Sequence, residues 1–281
     1  MKNVWLCCPS ARPVHEVNRR MDKWRAQGYK IALVRDQVDI NPLCHADFTL
    51  FTASTWGGKY PGFQVASNRL IREVFEYDQD CDWIVSAGDD TDPDPTKRAD
   101  EIAKECSSHF YAAVECCYPP KKPRAAMTSK YTYAGGIGKE SGSWIAWSTF
   151  GIMQPTGDRW GSEEPWARQM HPTQPAYIDR ICGSPWIGRE YARRINGGKG
   201  PFWEEYGHMF ADEEMQNVAL NCGVLWQRRD LTHFHDHCKR DGVDRTPAFL
   251  VEAYSPQHWE KNKAVFTRRK AAGFPGSEPI A

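Results

Sequence analysis

The segment 82–94 holds the densest group of side chains that could do chemistry. It reads DWIVSAGDDTDPD, a short apolar run followed by Asp89, Asp90, Asp92 and Asp94. The proline in this stretch prevents the predicted strand from continuing, so the carboxylates crowd where that strand ends. Their repulsion is costly unless a cation lies among them, and carboxylates suit Mg²⁺ or Mn²⁺. The alternative is a solvated acidic turn that caps a helix.

The composition limits the classes of function. Lys plus Arg and Asp plus Glu both total 36 in 281 residues, so no overall charge attracts nucleic acid or a membrane. The first apolar run is too short for a signal peptide, and no segment approaches the roughly 18 apolar residues of a membrane span. We therefore expect a soluble, cytoplasmic protein without a membrane partner.

The ten cysteines form no C-x-x-C pair. The neighbours Cys7-Cys8 and Cys116-Cys117 lie in apolar runs. This pattern favours buried thiols in a reducing compartment over a structural zinc site.

Predicted strands and helices alternate along the first 115 residues. The strands are Val4–Cys8, Ile31–Val34, Phe48–Phe51, the run before the aspartates and Phe110–Val114. The helices run from Val14 to before Gly28, over 64–77 and over 96–107. Such alternation predicts an α/β fold, with a parallel sheet and helices on both faces.

The remainder of the chain is less regular. A basic, glycine-rich segment over 118–142 is expected to be a mobile loop, and it lacks the residues of a Walker phosphate loop. The chain is then rich in Trp, Gly and Pro until a helix over Asp212–Cys222 and a strand over Val224–Gln227. We predict one domain over 1–245, whose character changes after about residue 117, and a loosely held tail over 246–281.

Three further groups of residues accompany the aspartates. The first strand ends in Pro9, Ser10 and Arg12, a suitable place for a nucleotide, and the second ends in Asp36, which could accept from a base N–H. A helix opens with Asp212-Glu213-Glu214, and the histidine-rich segment 233–237 follows it.

In this order, these motifs resemble the nucleotide-sugar-dependent glycosyltransferases of the GT-A fold. The likeness covers roughly residues 3–240 and is similar in character to short, tryptophan-rich glycosyltransferase-like proteins predicted in bacteriophage genomes. It implies a Rossmann-like, mostly parallel sheet with an irregular acceptor side, and it divides the domain over 1–245 into a nucleotide-binding half (1–117) and an acceptor half (118–245). It also implies a UDP-sugar donor and a Mn²⁺ or Mg²⁺ ion.

The resemblance assigns roles to individual residues. Asp90-Thr91-Asp92 matches the DxD motif, whose carboxylates bind the metal that bridges the donor diphosphate. The residues at the place of the nucleoside are Pro9, Ser10, Arg12 and, at the base, Asp36. Ala66-Ser67-Asn68 resembles an A-R-N motif beside the nucleotide, with Ser in place of Arg.

The segment 182–188 stands where the family forms the floor under the donor sugar, and its candidate contacts are Gly183, Ser184 and Trp186. Asp212 or Glu213 corresponds to the catalytic base of inverting enzymes. The alternative is that Asp212 is an ordinary N-cap with the two glutamates in the first helical turn.

The histidines and tryptophans have two interpretations each. In the family, a histidine after this helix can complete the metal's ligands, which makes His233 and His235 candidates. Otherwise, alternating histidines form a polar strand face. The tryptophans that could stack on a sugar or base, or could belong to the core, are Trp160, Trp166, Trp186 and Trp203.

Other classes of phosphate-handling protein share part of this pattern. A phosphatase of the haloacid dehalogenase type also places D-x-D after a strand, and a sugar-nucleotide pyrophosphorylase shares the fold class but begins with a glycine-rich loop that is missing here. A dinucleotide oxidoreductase needs a G-x-G-x-x-G after the first strand. A non-catalytic sugar-nucleotide-binding protein remains open.

The acceptor is less defined. If the phage likeness holds, a hydroxymethylated pyrimidine in DNA is one candidate, and a protein or a glycan is the other. Basic residues in the 118–142 loop could contact DNA phosphates, with interleaved tyrosines for stacking. These residues are Lys121, Lys122, Arg124, Lys130, Lys139, Tyr118, Tyr131 and Tyr133. The zero net charge argues against duplex DNA.

Overall fold

A computed structural model describes residues 2–36, 44–115, 148–156, 177–238 and 243–280. The strands are β1 Asn3–Pro9, β2 Lys30–Arg35, β3 Phe48–Phe51, β4 Cys81–Ser86, β5 Thr91–Asp92, β6 Ile152–Pro155, β7 Trp186–Gly188, β8 Leu225–Arg228 and β9 Phe234–His235. The helices are α1 Val14–Ala26, α2 Thr52–Trp56, α3 Phe63–Tyr77, α4 Ala99–Glu115, α5 Arg189–Arg194, α6 Ala211–Asn221 and α7 Pro256–Ala271. Short 3₁₀ turns cover Tyr177–Asp179, Ile195–Gly198 and Ala248–Leu250.

Seven strands form the central sheet, in the order β3-β2-β1-β4-β7-β6-β8. All neighbouring pairs are parallel except those of β7, which runs antiparallel to β4 and to β6. The predicted α/β class with a mostly parallel sheet is therefore confirmed. Separately, β5 and β9 pair in a small antiparallel sheet.

The central strands are apolar because helices cover both faces of the sheet. In α1 the buried side chains are Val14, Val17, Met21 and Trp24, which recur at the spacing of one helical face. On α3, Ala66, Leu70 and Val74 are buried in the same way. These two faces are the ones that the sequence periodicity predicts.

The strand predicted at Phe110–Val114 is wrong. That segment continues α4, which extends to Glu115. Ile102, Cys106 and Phe110 recur four residues apart and are all buried, so the helical face that begins at Ala99 passes through the segment without a break. Phe110 stacks on Trp83 of β4, with ring centroids 5.4 Å apart.

The expectation of a loosely held tail is also wrong. The helix α7 packs on α6, and Arg269 forms a buried ion pair with Glu214 at 2.7 Å. Ser277 and Phe274 beyond α7 are buried as well. Hydropathy missed this contact because polar side chains, Arg269 and Asn262 among them, make up half of the buried face of α7.

The cysteines agree with the prediction where they are described. Cys7 and Cys8 are fully buried, and the described cysteines are free thiols. Burial raises the pKa of both thiols well above the usual range. Cys116 and Cys117 lie outside the described residues.

A bilayer-spanning helix was not expected from the sequence. Among the helices in the described ranges, none is both long enough and apolar enough to cross a membrane.

Gly188→Ala is expected to destabilise the protein severely, by at least about 3 kcal/mol. A Cβ at Gly188 would lie 1.9 Å from the backbone oxygen of Thr149, which cannot move aside cheaply. Gly57→Ala is the control, because nothing lies within 4 Å of its Cβ position and only the positive φ of 65° is strained. That strain costs about 1–2 kcal/mol. Urea unfolding of both variants checks the difference, and equal losses would contradict it.

Candidate active site

The candidate site lies at the carboxyl edge of the central sheet, between β1 and β4. The chain passes from β1 to β2 on one side, and β4 pairs on the other side of β1, so the strand order reverses there. Open α/β sheets bind ligands in the crevice outside such a point. The segments that follow β1 and β4 meet at this edge.

Two residues after β1 bind the first aspartate after β4. The Ser10 hydroxyl donates to Asp89 at 2.6 Å, and Arg12 Nε donates to the same carboxylate at 2.8 Å. Pro9 ends β1 and sets the start of this loop. Burial raises the pKa of Asp89, and the bonds from Arg12 and Ser10 offset only part of that effect.

Arg35 holds the loop after β1 in shape. Its Nη1 donates to the backbone oxygens of Ser10 at 3.1 Å and Arg12 at 2.7 Å, and the side chain is buried. Sequence reasoning missed this residue. The available signal was a charged residue that ends an otherwise apolar strand, beside a loop already singled out.

Asp90 lies between a cation and an imidazole. Its carboxylate is 3.2 Å from His235 Nε2 and 3.8 Å from Arg12 Nη2. Burial raises the pKa of Asp90, but His235 and Arg12 outweigh it and bring the pKa to about 2. The carboxylate is therefore ionised throughout the physiological range of pH.

The other two aspartates have different partners. Asp92 accepts from Arg20 at 3.0 Å and from Lys23 at 2.7 Å. Asp94 accepts from the backbone N–H groups of Thr96 at 2.7 Å and Thr232 at 2.6 Å, which fixes the turn before α4. The four carboxylates are thus dispersed among different partners, and the Asp90 carboxylate lies beside the His235 imidazole.

The two histidines proposed as ligands occupy different environments. His235 faces Asp90, and its ring lies 5.1 Å from that of His237. His233 is fully buried, with Nδ1 3.1 Å from the Ser184 hydroxyl and its ring against Trp24. Burial lowers the pKa of His233 to about 4, so this imidazole is neutral at physiological pH.

The donor atoms of Asp90 and His235 suit a divalent cation. Two ligands on adjacent corners of an octahedron, each about 2.1 Å from the ion, are about 3.0 Å apart, close to the 3.2 Å between these atoms. Among the described residues, no three His, Cys, Asp or Glu side chains are grouped to hold a metal. Such an ion would need further ligands, for example diphosphate oxygens and water.

The acidic triplet at the start of α6 divides into two parts. Glu214 is buried against Arg269 and Tyr206 and belongs to the core. Asp212 and Glu213 are half-buried, and Glu213 lies 3.4 Å from Arg180. The cap position is Phe210 rather than Asp212, with a left-handed φ of 71°. Strained residues of this kind cluster at functional sites.

Asp212 has the electrostatic character of a general base. Burial, with Glu213 beside it, raises its pKa from 3.8 to about 7. The dipole of α6 lowers the pKa of Asp212, but the effect of burial is larger, because the pKa is raised overall. Burial also raises the pKa of Glu213, where Arg180 opposes it.

The segment 182–185 connects α6 to the aspartate loop. The Cys182 N–H donates to the Asp212 backbone oxygen at 3.3 Å, and the Pro185 oxygen accepts from Ser86 N–H at 3.0 Å. Ser86 ends β4, three residues before Asp89. Gly183 and Ser184 therefore lie on the wall that runs from Asp212 to the carboxyl end of β4.

Asn68 and Asp36 are already hydrogen-bonded within the protein. Asn68 is buried, and its amide bonds the backbone of Phe202 and the Glu204 carboxylate, which holds that segment against α3. Asp36 accepts from the Thr52 hydroxyl at 2.5 Å but is exposed, so its carboxylate has room for another donor.

The two described candidate tryptophans, Trp186 and Trp203, pack against other side chains of the protein. Trp186 is fully buried and packs against Tyr29, as a core residue does. Trp203 lies under the guanidinium of Arg269, 3.4 Å from its ring centroid. Trp160 and Trp166 lie outside the described residues, as do the loop 118–142 and its basic and tyrosine side chains.

Tyr60 was missed by the sequence reasoning. It lies in a loop with glycines of positive φ at Gly57, Gly58 and Gly62. Tyr60 is 47% exposed, and the partial desolvation of its hydroxyl, together with Cys8 and Asp89, raises its pKa. The glycines were the signal that this loop turns sharply, here beside the crevice.

The fold and the site together define an α/β protein with a cluster of charged side chains at the reversal point of a mostly parallel sheet. No model of a known protein family matches the chain, and no curated protein matches it significantly.

Proposed function

We propose that this protein is a metal-dependent glycosyltransferase of the GT-A type, which transfers a sugar from a nucleotide-sugar, with UDP as the nucleotide, to an acceptor hydroxyl. One observation carries the proposal. At the reversal point of the sheet, Asp90 lies between Arg12 and His235, 3.8 Å and 3.2 Å away. A cationic side chain and a pair of metal-type donors then face the same crevice, as binding of a diphosphate with a cation requires.

The residues after β1 bind and orient the donor. The Arg12 guanidinium offers N–H groups and positive charge to a phosphate, and Arg35 keeps that loop in place. Asp36, at the end of β2, is free to accept from a base N–H. Asp90 and His235 would hold the divalent cation, which when bound neutralises charge on the departing diphosphate.

Asp212 acts as the base. Its carboxylate takes the proton of the acceptor hydroxyl while that oxygen bonds to the anomeric carbon and the bond from that carbon to the diphosphate breaks. A pKa of about 7 leaves much of Asp212 ionised near neutral pH while it still binds a proton well. Direct attack from the face opposite the leaving group inverts the configuration.

The proposal names the acceptor only by class. A hydroxymethylated pyrimidine in phage DNA stays one candidate and a protein or glycan hydroxyl the other. The basic loop that would contact DNA lies outside the described residues. The half-buried position of Asp212 supports an acceptor that brings its hydroxyl into a recess.

The test is calorimetric binding of nucleoside diphosphates and their sugars, with and without Mn²⁺. One nucleotide is expected to bind in a Mn²⁺-dependent manner, and Asp90→Asn is expected to weaken that binding at least tenfold. Asp80→Asn is the matched control, because it removes the same charge from the exposed amino end of β4. If no nucleotide binds the wild type under any condition, the proposal fails. Binding without transfer to any acceptor or to water supports the non-catalytic alternative.

A further inference from the structure

We infer that the two aspartates of the Asp90-Thr91-Asp92 triplet have separate tasks, in that Asp90 and His235 supply the cation ligands while Asp92 fastens the small sheet to α1 and ligates nothing. The inference rests on the proposed function only for the role of the cation, which is to neutralise the donor diphosphate. The division of tasks follows from the different partners of the two carboxylates.

The register of the small sheet separates Asp92 from His235. Thr91 pairs with His235, and Asp92 pairs with Phe234. Paired residues on adjacent strands share a face, and successive residues in a strand point to opposite faces. Asp92 therefore lies on the Phe234 face and His235 on the Thr91 face. Asp90 precedes the paired residues, and its carboxylate lies 3.2 Å from His235 Nε2, whereas Asp92 bonds Arg20 and Lys23.

Two cationic side chains of α1, Arg20 and Lys23, hold the Asp92 carboxylate, and we call this pair the cationic clamp. Arg20 Nη1 donates to both carboxylate oxygens of Asp92 at 3.0 Å, and Lys23 Nζ donates at 2.7 Å. Arg20 also bonds Asp236, which lies two residues beyond Phe234 and so on the same face. A dication at Asp92 would have to displace these bonds and would lie against two positive charges.

The contacts of α1 support the same division. Arg20, Lys23 and Trp24 lie on one helical face, and all three hold β5. Trp24 Nε1 donates to the backbone oxygen of Thr91 at 2.8 Å. The clamp and Trp24 therefore hold β5 against α1.

A backbone hydrogen bond of the small sheet brings the two proposed ligands together. The Asp236 N–H donates to the Asp90 backbone oxygen at 2.8 Å. This bond brings the His235 imidazole against the Asp90 carboxylate, with His237 beside it. Asp92 acts on the cation only through this placement and is a positioning residue.

Mn²⁺ titration of the full chain, followed by electron paramagnetic resonance of the free ion, tests the ligand assignment. We expect Asp90→Asn and His235→Asn each to weaken Mn²⁺ binding at least tenfold, and Asp92→Asn and Arg20→Gln to stay within threefold of the wild type. Loss of binding in Asp92→Asn with binding retained in Arg20→Gln would overturn the inference. A wild-type chain that binds no Mn²⁺ would overturn the ligand assignment. The proposed function is tested separately by the binding of nucleotides, so the two can fail independently.

Thermal unfolding in EDTA tests the clamp. Asp92→Asn and Arg20→Gln are each expected to lower the melting temperature by about 3–6 °C. The double variant is expected to melt no lower than the less stable of the two single variants. Arg20→Lys should restore part of the loss. Asp90→Asn serves as the comparison and should melt higher than Asp92→Asn. Additive losses, or no loss in Asp92→Asn, would overturn the clamp.

Discussion

Asp212→Asn is expected to lower the rate of transfer by a factor of about 10²–10⁴, the usual contribution of a general base. It is also expected to make the folded protein more stable above pH 7. An amide at this position keeps the hydrogen bond from the Glu213 N–H but cannot take a proton from the acceptor. The rate of the wild type should rise with pH through about 7, because the ionised form of Asp212 is the base.

The stability gain follows from the direction of the pKa shift. Burial raises the pKa of Asp212 from 3.8 to about 7 in the folded chain. Between these values the folded state binds more protons than the unfolded state, so the stability falls as the pH rises. Each pKa unit corresponds to about 1.4 kcal/mol, which gives roughly 4 kcal/mol as an upper bound. Asparagine removes this loss.

The measurement is the free energy of unfolding of wild type and variant at pH 4.5 and pH 8. The advantage of Asp212→Asn should be largest at pH 8 and small at pH 4.5. Asp100→Asn is the matched control, since Asp100 holds the same second position in α4 but its side chain is 40% exposed. There the helix dipole favours the carboxylate, so the control should lose a few tenths of a kcal/mol. An Asp212→Asn variant that also loses stability at pH 8 and keeps its transfer rate would contradict the assignment.

Arg269→Met is expected to cost about 3–5 kcal/mol of stability, because it leaves a buried carboxylate without its cation. The side chains of Arg269 and Glu214 are 5% and 3% exposed, and Arg269 donates three hydrogen bonds to the carboxylate, of 2.7 Å, 2.8 Å and 3.2 Å. The Tyr206 hydroxyl and Ser277 bond the same carboxylate. Urea unfolding measures the loss.

Two further variants separate the ion pair from general damage to α7. Arg268→Met is the control, since the Arg268 side chain is 63% exposed and a surface ion pair contributes at most about 1 kcal/mol. The double variant Glu214→Gln with Arg269→Met should recover much of the loss, because no unpaired charge remains. If Arg269→Met stays within 1 kcal/mol of the wild type, the tail is not anchored in this way.

The sequence predicts those parts of the fold that depend on local apolar patterns. The buried runs of β1, β2 and β4 and the spaced apolar faces of α1 and α3 appear within a residue or two of their predicted bounds. The strand predicted at Phe110–Val114 was wrong because a short apolar stretch fits a strand and a helix equally well. Only the spacing of buried residues from Ala99 onward shows that the segment is helical.

The partners of the polar site residues could not be predicted in the same way. Arg20 and Asp92 are 72 positions apart, and Asn68 and Phe202 are 134 apart. No local pattern records such contacts, because they depend on how whole elements pack. The motif order nonetheless located the edge of the sheet where Ser10, Arg12, Asp89 and Asp90 meet.

The position of β7 has a consequence for the order of synthesis and folding. This strand lies between β4 and β6, although it follows both in the chain. While a ribosome makes the protein, β1 to β4 can pair first, and β6 has no route onto their sheet until residue 188 has emerged. During that interval the apolar edge of β4, with Trp83, Ile84 and Val85, lacks the neighbour it has in the native fold. Open apolar edges of this kind recruit other chains, so the nascent protein is most prone to aggregation, and most dependent on chaperones, between the synthesis of β4 and that of β7.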